Sequence, residues 1–457
     1  MTTPTLDADP DCARPARRLI AERRSFDSIP REAWDRLAAL NPWATPFSAW
    51  AFHRAWWDAY GANAHDQTLV VRDPDAPAGS ACADLVAIAP LMHRHVVEAS
   101  DAQTHTSIRH GSPAELTPVA PTAKAVYFGA TYHADYATLL ADPLDLPEVA
   151  EAIVDALCAH ATPDPHHPAP WDVVDLRRLR AADPAADALA AAFGRHEIDE
   201  AWTLNLEQED VCPVAPLPTA SPPATASPPA TAPSPSAPAS GLAARPTIDD
   251  FLATLGKHER HEIRRKVRRA EAAGRIELVE STDPQADLGA FIELHQARWG
   301  EDGLFPPTRG GDQSRTFIYR LFELMQPQAS QRAPLPGVPD GAPDSASDAS
   351  DAADAADTAG RPSLGSVHLT FLTVDGRRIG AAIHFETADS LLYYNAGIDP
   401  EARQLSPGVV LVERLARRAL ERGLSRLDFL RGDEPYKYEW GARDEPIQRL
   451  LVRRSAS

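Results

Sequence analysis

Two low-complexity tracts set the limits on how this chain can fold. From Cys212 to Pro246 it runs CPVAPLPTASPPATASPPATAPSPSAPASGLAARP, without apolar periodicity and with prolines that cannot donate to a sheet ladder. It reads as an extended linker of polyproline II character. The second tract, PGVPDGAPDSASDASDAADAADTAGRP from Pro336 to Pro362, is a degenerate Asp/Ala/Ser repeat. Its charges repel and it has almost nothing to bury, so it reads as disordered. The expected organisation is a tail over 1–24, a folded unit over 25–211, a linker over 212–246, and a second unit over 247–457 interrupted by a disordered insertion over 328–363.

Length supports this division, since 457 residues exceed one ordinary core. A net charge of −20 would repel a phosphate backbone or an anionic membrane, so binding to either needs a local basic patch. Cys12, Cys82, Cys158 and Cys212 stand singly with no CxxC pair, which fits a reducing compartment and neither a disulfide framework nor a cysteine-built zinc site. No signal-peptide pattern opens the chain, and no apolar stretch reaches the ~20 residues that span a bilayer. A cytoplasmic protein is the expectation.

The first unit opens with the helical stretch SAWAFHRAWWDAYG, stopped by Gly61, followed by TLVVRD and DLVAIAPLMHR as a hairpin. A region around YFGATYHADYATLL, a helix PEVAEAIVDALCAH and a buried strand WDVVDL complete it. The second unit has helices over DLGAFIELHQARWG and RTFIYRLFELM, then strands VHLTFLTV and RRIGAAIHFE joined at Asp375-Gly376. That dipeptide between alternating apolar runs predicts a type I′ hairpin, which needs positive φ at both positions. A third strand, SLLYYNAGI, then leads through RQLSPG to the helix VVLVERLARRALERG and the strand RLDFLRG. Both units share hairpin, further strand, helix and a strand containing Asp, which suggests duplication.

The loop before the last helix is the most readable candidate site. Ser406 suits an N-cap, Pro407 the first helical position, and Gly408 adds no obstructing side chain. Orphan amides and the dipole there suit an anion such as a pyrophosphate; an ordinary capped helix is the competing reading. In the helix, Leu411, Leu415 and Ala419 form the buried stripe, with Glu413–Arg417 and Arg417–Glu421 pairs expected on the exposed face. Other motifs fail: HERH at His258–His261 is one residue short of HExxH, and there is no Walker loop, GxGxxG or GxSxG. No metal is expected.

The runs FLATLGKHERHEIRRKVRRAEAAG, FIELHQARWG, VDGRRIGAAIHFE, YYNAGIDPEARQLSPG and DFLRGDEPYKYEWGA closely resemble the CelD-like acetyltransferases. These are GNAT-related proteins often linked with cellulose or exopolysaccharide production, and akin to the FemAB peptidyltransferases with their two GNAT-like domains. The resemblance extends more loosely to NPWATPFSAWAFHRAWWDAYG and IAPLMHR. It implies an α/β fold of two tandem GNAT-like domains, each a mixed sheet flanked by helices, with the N-terminal one degenerate. It also implies acyl transfer from acetyl-CoA or another acyl-CoA to a small-molecule, glycan or peptide amine. Gln404, Leu405, Ser406, Pro407 and Gly408 become the phosphate-cradling loop, although Ser-Pro stands where the usual pattern has glycine. An aminoacyl-tRNA donor of FemAB type, or a non-catalytic scaffold in polysaccharide synthesis, are the alternatives.

Such a transfer needs a base for the amine, a stabiliser for the oxyanion and an acid for the leaving thiolate. In FLRGDEPYKYEWGA, Asp433 or Glu434 is the candidate base, Tyr436 or Tyr438 the acid, and Arg431 or Lys437 an anion binder. Tyr438 and Trp440 are taken to line the acceptor pocket. The competing reading places Tyr436, Tyr438 and Trp440 on one face of a strand, with Lys437 and Glu439 on the other. In KHERHEIRRKVRRAEAAGR, Ile263, Val267 and Ala270 mark the buried face of an amphipathic helix. Its arginines Arg264, Arg265, Arg268 and Arg269 are either a solvated face or a positive patch for substrate or cofactor phosphates.

Overall fold

The computed structural model describes residues 17–76, 84–94, 116–120, 122–131, 133–159, 171–200, 202–219, 245–300, 303–325 and 364–454. The Asp/Ala/Ser repeat and most of the Pro/Ala-rich tract lie outside them. In the first half, strand β1 (Ile20–Arg23) falls in the expected tail, followed by helices α1 (Arg31–Leu40) and α2 (Trp50–Tyr60). Strands β2 (Ala64–Asp66), β3 (Leu69–Arg72), β4 (Leu85–Ala89), β5 (Leu91–Arg94), β6 (Ala125–Phe128) and β7 (Leu140–Ala141) come next. Helix α3 (Leu146–Ala159), β8 (Val173–Arg180), α4 (Pro184–Glu200) and β9 (Trp202–Pro216) close it. β9 runs through Cys212–Pro216, so the first prolines of the expected linker are strand.

The second half has α5 (Ile248–Thr254), α6 (Lys257–Glu271), β10 (Ile276–Glu280), α7 (Pro284–Trp299) and α8 (Arg309–Met325). The meander β11 (Ser366–Val374), β12 (Arg377–Glu386) and β13 (Ser390–Ile398) follows. Asp375 and Gly376 both have positive φ, 48° and 82°, as a type I′ turn demands. Then come α9 (Pro407–Glu421), β14 (Arg426–Asp428), α10 (Pro435–Tyr438) and β15 (Arg443–Arg454).

β3 and β4 form the expected hairpin within a small sheet, β1-β3-β4-β7. The remaining strands make one sheet in the order β10-β11-β12-β13-β14-β9-β15-β8-β6-β5-β2. Its named strand pairs are antiparallel except two, β13 with β14 and β6 with β8, one in each half. Each parallel pair is bridged by a helix, α9 or α3, as a crossover requires. The halves exchange their last strands: β9 lies between β14 and β15, and β15 between β8 and β9. Asp175 of β8 and Asp428 of β14 occupy corresponding places beside their parallel partners, so the shared Asp-bearing strand is a structural equivalence.

Helices α5, α6 and α9 cover one face of the second half through Phe251, Ile263, Val267, Ala270, Leu411, Leu415 and Ala419. α7 and α8 cover the other, and α2 of the first half packs on α8. Phe52, Trp56, Phe317, Leu321 and Phe322 are fully buried there. At roughly 1.5–3 kcal/mol for each fully buried large apolar side chain, this contact fastens the two halves together.

Candidate active site

Where β13 and β14 run parallel, pairing covers only Ser390–Leu392 with Arg426–Asp428. Beyond Leu392 the strands part. On the other side of β13 the register with β12 passes from Ile383↔Asn395 to His384↔Tyr393, leaving Tyr394 as the extra residue of a β-bulge. Bulges bend a strand and re-aim its groups, and this one lies beside the parting of β13 and β14. Tyr393, Phe429 and Tyr436 line the parting, with ring centroids 6.2 Å and 6.0 Å apart in edge-to-face contact. Burial pushes the Tyr393 phenol up to about 12, and raises Tyr436 well above 10 with help from Tyr393 and Glu434. Both keep their protons near neutral pH. Arg298 of α7 opposes both shifts, so its positive charge reaches this cluster.

At the far end of β13 a 3-10 turn, Pro400–Leu405, contains Gln404 and Leu405 and delivers the chain to α9. Ser406 has φ 53°, a left-handed conformation, and makes no side-chain cap; the expected N-cap bond is absent because the residue is turned away from the helix. Its hydroxyl instead accepts from Arg269 of α6 at 2.6 Å. Pro407 is buried at the first helical position, and the first turn of α9 carries no acidic residue. A side chain on Gly408 would meet Ile398 at 3.0 Å. The Val409 and Val410 amides donate to the Ser406 carbonyl and Pro407 has no N–H, so the Gly408 amide, the acid-free first turn and the neighbouring guanidinium are what suit a phosphate group. Further along α9, Glu413 is buried and holds both Arg414 and Arg417, which corrects its expected place on the exposed face.

The segment after β14 departs from the strand reading. Pro435–Tyr438 is a turn of helix begun by proline, so Tyr436, Tyr438 and Trp440 share no strand face. Trp440 is buried against Phe251 in the core rather than lining a pocket. The Tyr438 hydroxyl donates to Asp444 at 2.7 Å. Lys437 is 2% exposed, and its ammonium donates to the carbonyls of Leu430, Arg431 and Gly432 at 3.0, 2.9 and 3.0 Å while pairing with Glu434 at 2.8 Å. Its role as an anion binder is corrected by this geometry: every proton is used in holding the loop, where Leu430 and Gly432 have φ of 57° and 110°. Arg431 is spent on Asp135 of the first half at 3.1 Å. Asp433 is buried beside Glu434.

On α6 the buried residues are the expected Ile263, Val267 and Ala270. Arg264 pairs with Asp249 and Arg265 with Glu262, both at 2.7 Å, so much of the basic face is neutralised within the chain. Arg268 is exposed on the same helix. The arginine that reaches the loop is Arg269, one of the four expected to form the positive patch and not told apart from the others by the sequence. Tyr393 and Arg298 were missed; the only signal was a tyrosine pair in a strand that otherwise reads as apolar.

A family model described as an acetyltransferase (GNAT) domain matches residues 257–333 and 320–438. The second half of this chain is a GNAT acyltransferase domain. Its match spans the meander, the α9 loop and the segment up to Tyr438. No curated protein matches the chain in sequence. Among solved structures, FemX is similar at 9% identity over 94% of this chain and 96% of its own, with a TM-score of 0.49. A tandem GNAT protein from the clavulanic acid biosynthesis pathway is similar at 11% identity over 96% and 99%, TM-score 0.39. A GCN5-related N-acetyltransferase from Sphaerobacter thermophilus is similar at 15% identity over 96% and 97%, TM-score 0.29.

Proposed function

We propose that the GNAT domain transfers an acyl group from acyl-CoA to an amine at the parting of β13 and β14. The observation that carries this reading is the parting of β13 from β14 beside a β-bulge, with an acid-free helix start next to Arg269 at the far end of β13. Ser406, Pro407, Gly408 and Arg269 would hold the pyrophosphate, with Gln404 and Leu405 shaping the approach. Acyl-CoA supplies the activated thioester. The main-chain amides around the Tyr394 bulge are the donors for the oxyanion, and a preorganised donor of this kind contributes about 2.7–4 kcal/mol.

Glu434 is the group proposed to accept the amine proton, with Lys437 and the loop fixing its position. Tyr436, kept neutral by burial, is the proposed proton donor to the departing thiolate. The acceptor is taken to be an amine of envelope or exopolysaccharide material, on the resemblance of DFLRGDEPYKYEWGA to the CelD-like proteins alone. No helix among the described residues is long and apolar enough to cross a membrane.

The test is acetyl-CoA-dependent acylation of a panel of amines, followed as released thiol. Tyr436→Phe should lower kcat by about 10²–10⁴, the usual worth of a positioned acid, with the circular dichroism spectrum unchanged. Wild-type turnover by this variant would remove Tyr436 from the chemistry.

A further inference from the structure

Well away from the α9 loop, where the second half of α9 crosses the sheet, three strands gather a different set of groups. His368 of β11 and His384 of β12 are direct register partners, and their rings stack at 5.2 Å and 14°. Glu386 lies two residues beyond His384 and therefore on the same sheet face. Nε2 of His384 is 3.2 Å from Oε1 of Glu386, and Nε2 of His368 is 3.7 Å from Oε2. One donor atom from each of the three residues lies within 4.8 Å of the others. Tetrahedral zinc, with bonds of about 2.0–2.1 Å, needs its donors about 3.3 Å apart, so small side-chain shifts suffice.

The surroundings favour ligation. His368 Nδ1 lies 2.7 Å from Oε1 of Glu280 on β10, so the imidazole donates there and Nε2 carries the lone pair, which a cation would take over from the Ser366 hydroxyl. A carboxylate behind the distal nitrogen is the usual device that fixes the tautomer of a metal-bound histidine. Ser366 Oγ is 2.7 Å from the same Nε2. His384 is fully buried, and its Nδ1 is buried without a hydrogen-bond partner, so the ion-pair network around it satisfies only one of its two ring nitrogens. Two arginines of α9's C-terminal region oppose a cation. Arg418 spans Glu386 and Glu280, and Arg422, with its side chain about half exposed, reaches Oε2 of Glu386 at 2.8 Å.

We propose that His368, His384 and Glu386 form a binding site for one divalent cation of the zinc class, separate from the acyl-transfer cleft, with Arg422 as its competitor. Two imidazole nitrogens and one carboxylate oxygen favour zinc or cobalt over magnesium or calcium. The cation would displace Arg422 into solvent, tie β11 to β12, and leave a fourth position for water. Glu280 supplies the second negative charge.

The experiment titrates Zn2+ into the chelator-treated, tag-free full chain by calorimetry and reads coordination with Co2+ by visible absorption. One ion per chain is expected, with at least tenfold weaker binding in His368→Gln. Arg422→Gln changes a surface residue, leaves the ligands in place, and should bind Zn2+ about three- to tenfold more tightly because a competing charge is gone. A purely structural ion-pair network predicts the opposite: no stoichiometric ion, and no gain from Arg422→Gln. Either of those results, or undiminished binding by a folded His368→Gln, would overturn the proposal.

Discussion

The two halves of this chain repeat one plan and differ at the place where a phosphate would sit. In the second half, α9 begins without an acid, its N-cap serine faces Arg269, and the strands beside it part at a bulge. In the first half, the turn into α3 is occupied by carboxylates. Asp142 accepts from the Leu144 amide at 2.9 Å, Asp145 is buried and paired with Arg17, and Glu148 follows in the first turn. The gap between β6 and β8 is also filled by the chain itself, since Ala137 bonds the Arg178 carbonyl at 2.9 Å and bridges Leu179. A helix start already holding negative charge has spent its attraction for an anion, worth about 0.3–1 kcal/mol per charge. The same topology therefore yields one candidate donor site and one self-filled scaffold.

The equivalent aspartates give the sharpest contrast. Asp175 is fully buried and accepts from Nε and Nη2 of Arg449, at 2.7 and 2.8 Å, together with Arg177. Although burial alone would raise its pKa, these cations hold it below the ordinary carboxylate value. Asp428 is equally buried but accepts from the Tyr136 hydroxyl and the Leu430 amide, and burial raises it. Asp175→Asn takes from buried Arg449 its closer, bidentate carboxylate, leaving only Glu207 at 3.3 Å, and should cost about 3–5 kcal/mol. Asp428→Asn exchanges one neutral-compatible acceptor for another and should cost about 1 kcal/mol. Urea denaturation measures both, and equal losses would break the comparison.

Much of this plan is readable in the residues, and the rest fails for identifiable reasons. The Asp375-Gly376 hairpin and the stripe Ile263, Val267 and Ala270 rest on local pattern and are found, while the α9 loop is found as a proline-led helix start without the expected Ser406 cap. β9 and β15 escape because their partners lie in the other half. Nothing local in RLLVRR places it beside β8, where Arg449 meets Asp175. PYKY reads as a strand by its alternating aromatics, yet Pro435 fits a first helical position, and the loop closes around Lys437. Arg269 cannot be told from Arg264 or Arg268 by helical spacing, since only the fold shows which of them meets Ser406.

A smaller effect tests the filled cleft of the first half. His133 lies in the segment that follows β6, stacked on Phe317 at 4.0 Å, and His53 lies behind Gly129. Burial lowers both to about 3. The unfolded chain, with histidine near 6.5, binds protons that the folded chain refuses between pH 6.5 and 3. Stability is therefore full above pH 6.5 and declines as the pH falls, by about 2 kcal/mol per histidine at pH 5. In His133→Gln the loss between pH 7 and 5 should be smaller by about that amount. An unchanged pH slope would show that His133 is not held neutral.

The central claim, that the second half alone holds the donor, is tested most directly by calorimetric titration of acetyl-CoA into the full chain and into Arg269→Glu. The account predicts one molecule per chain for the wild type and roughly tenfold weaker binding, about 1.4 kcal/mol, in the variant. Two sites per chain would contradict the reading of the first half as self-filled. No binding would point to a different donor, such as an aminoacyl-tRNA, and would contradict the account of the α9 loop.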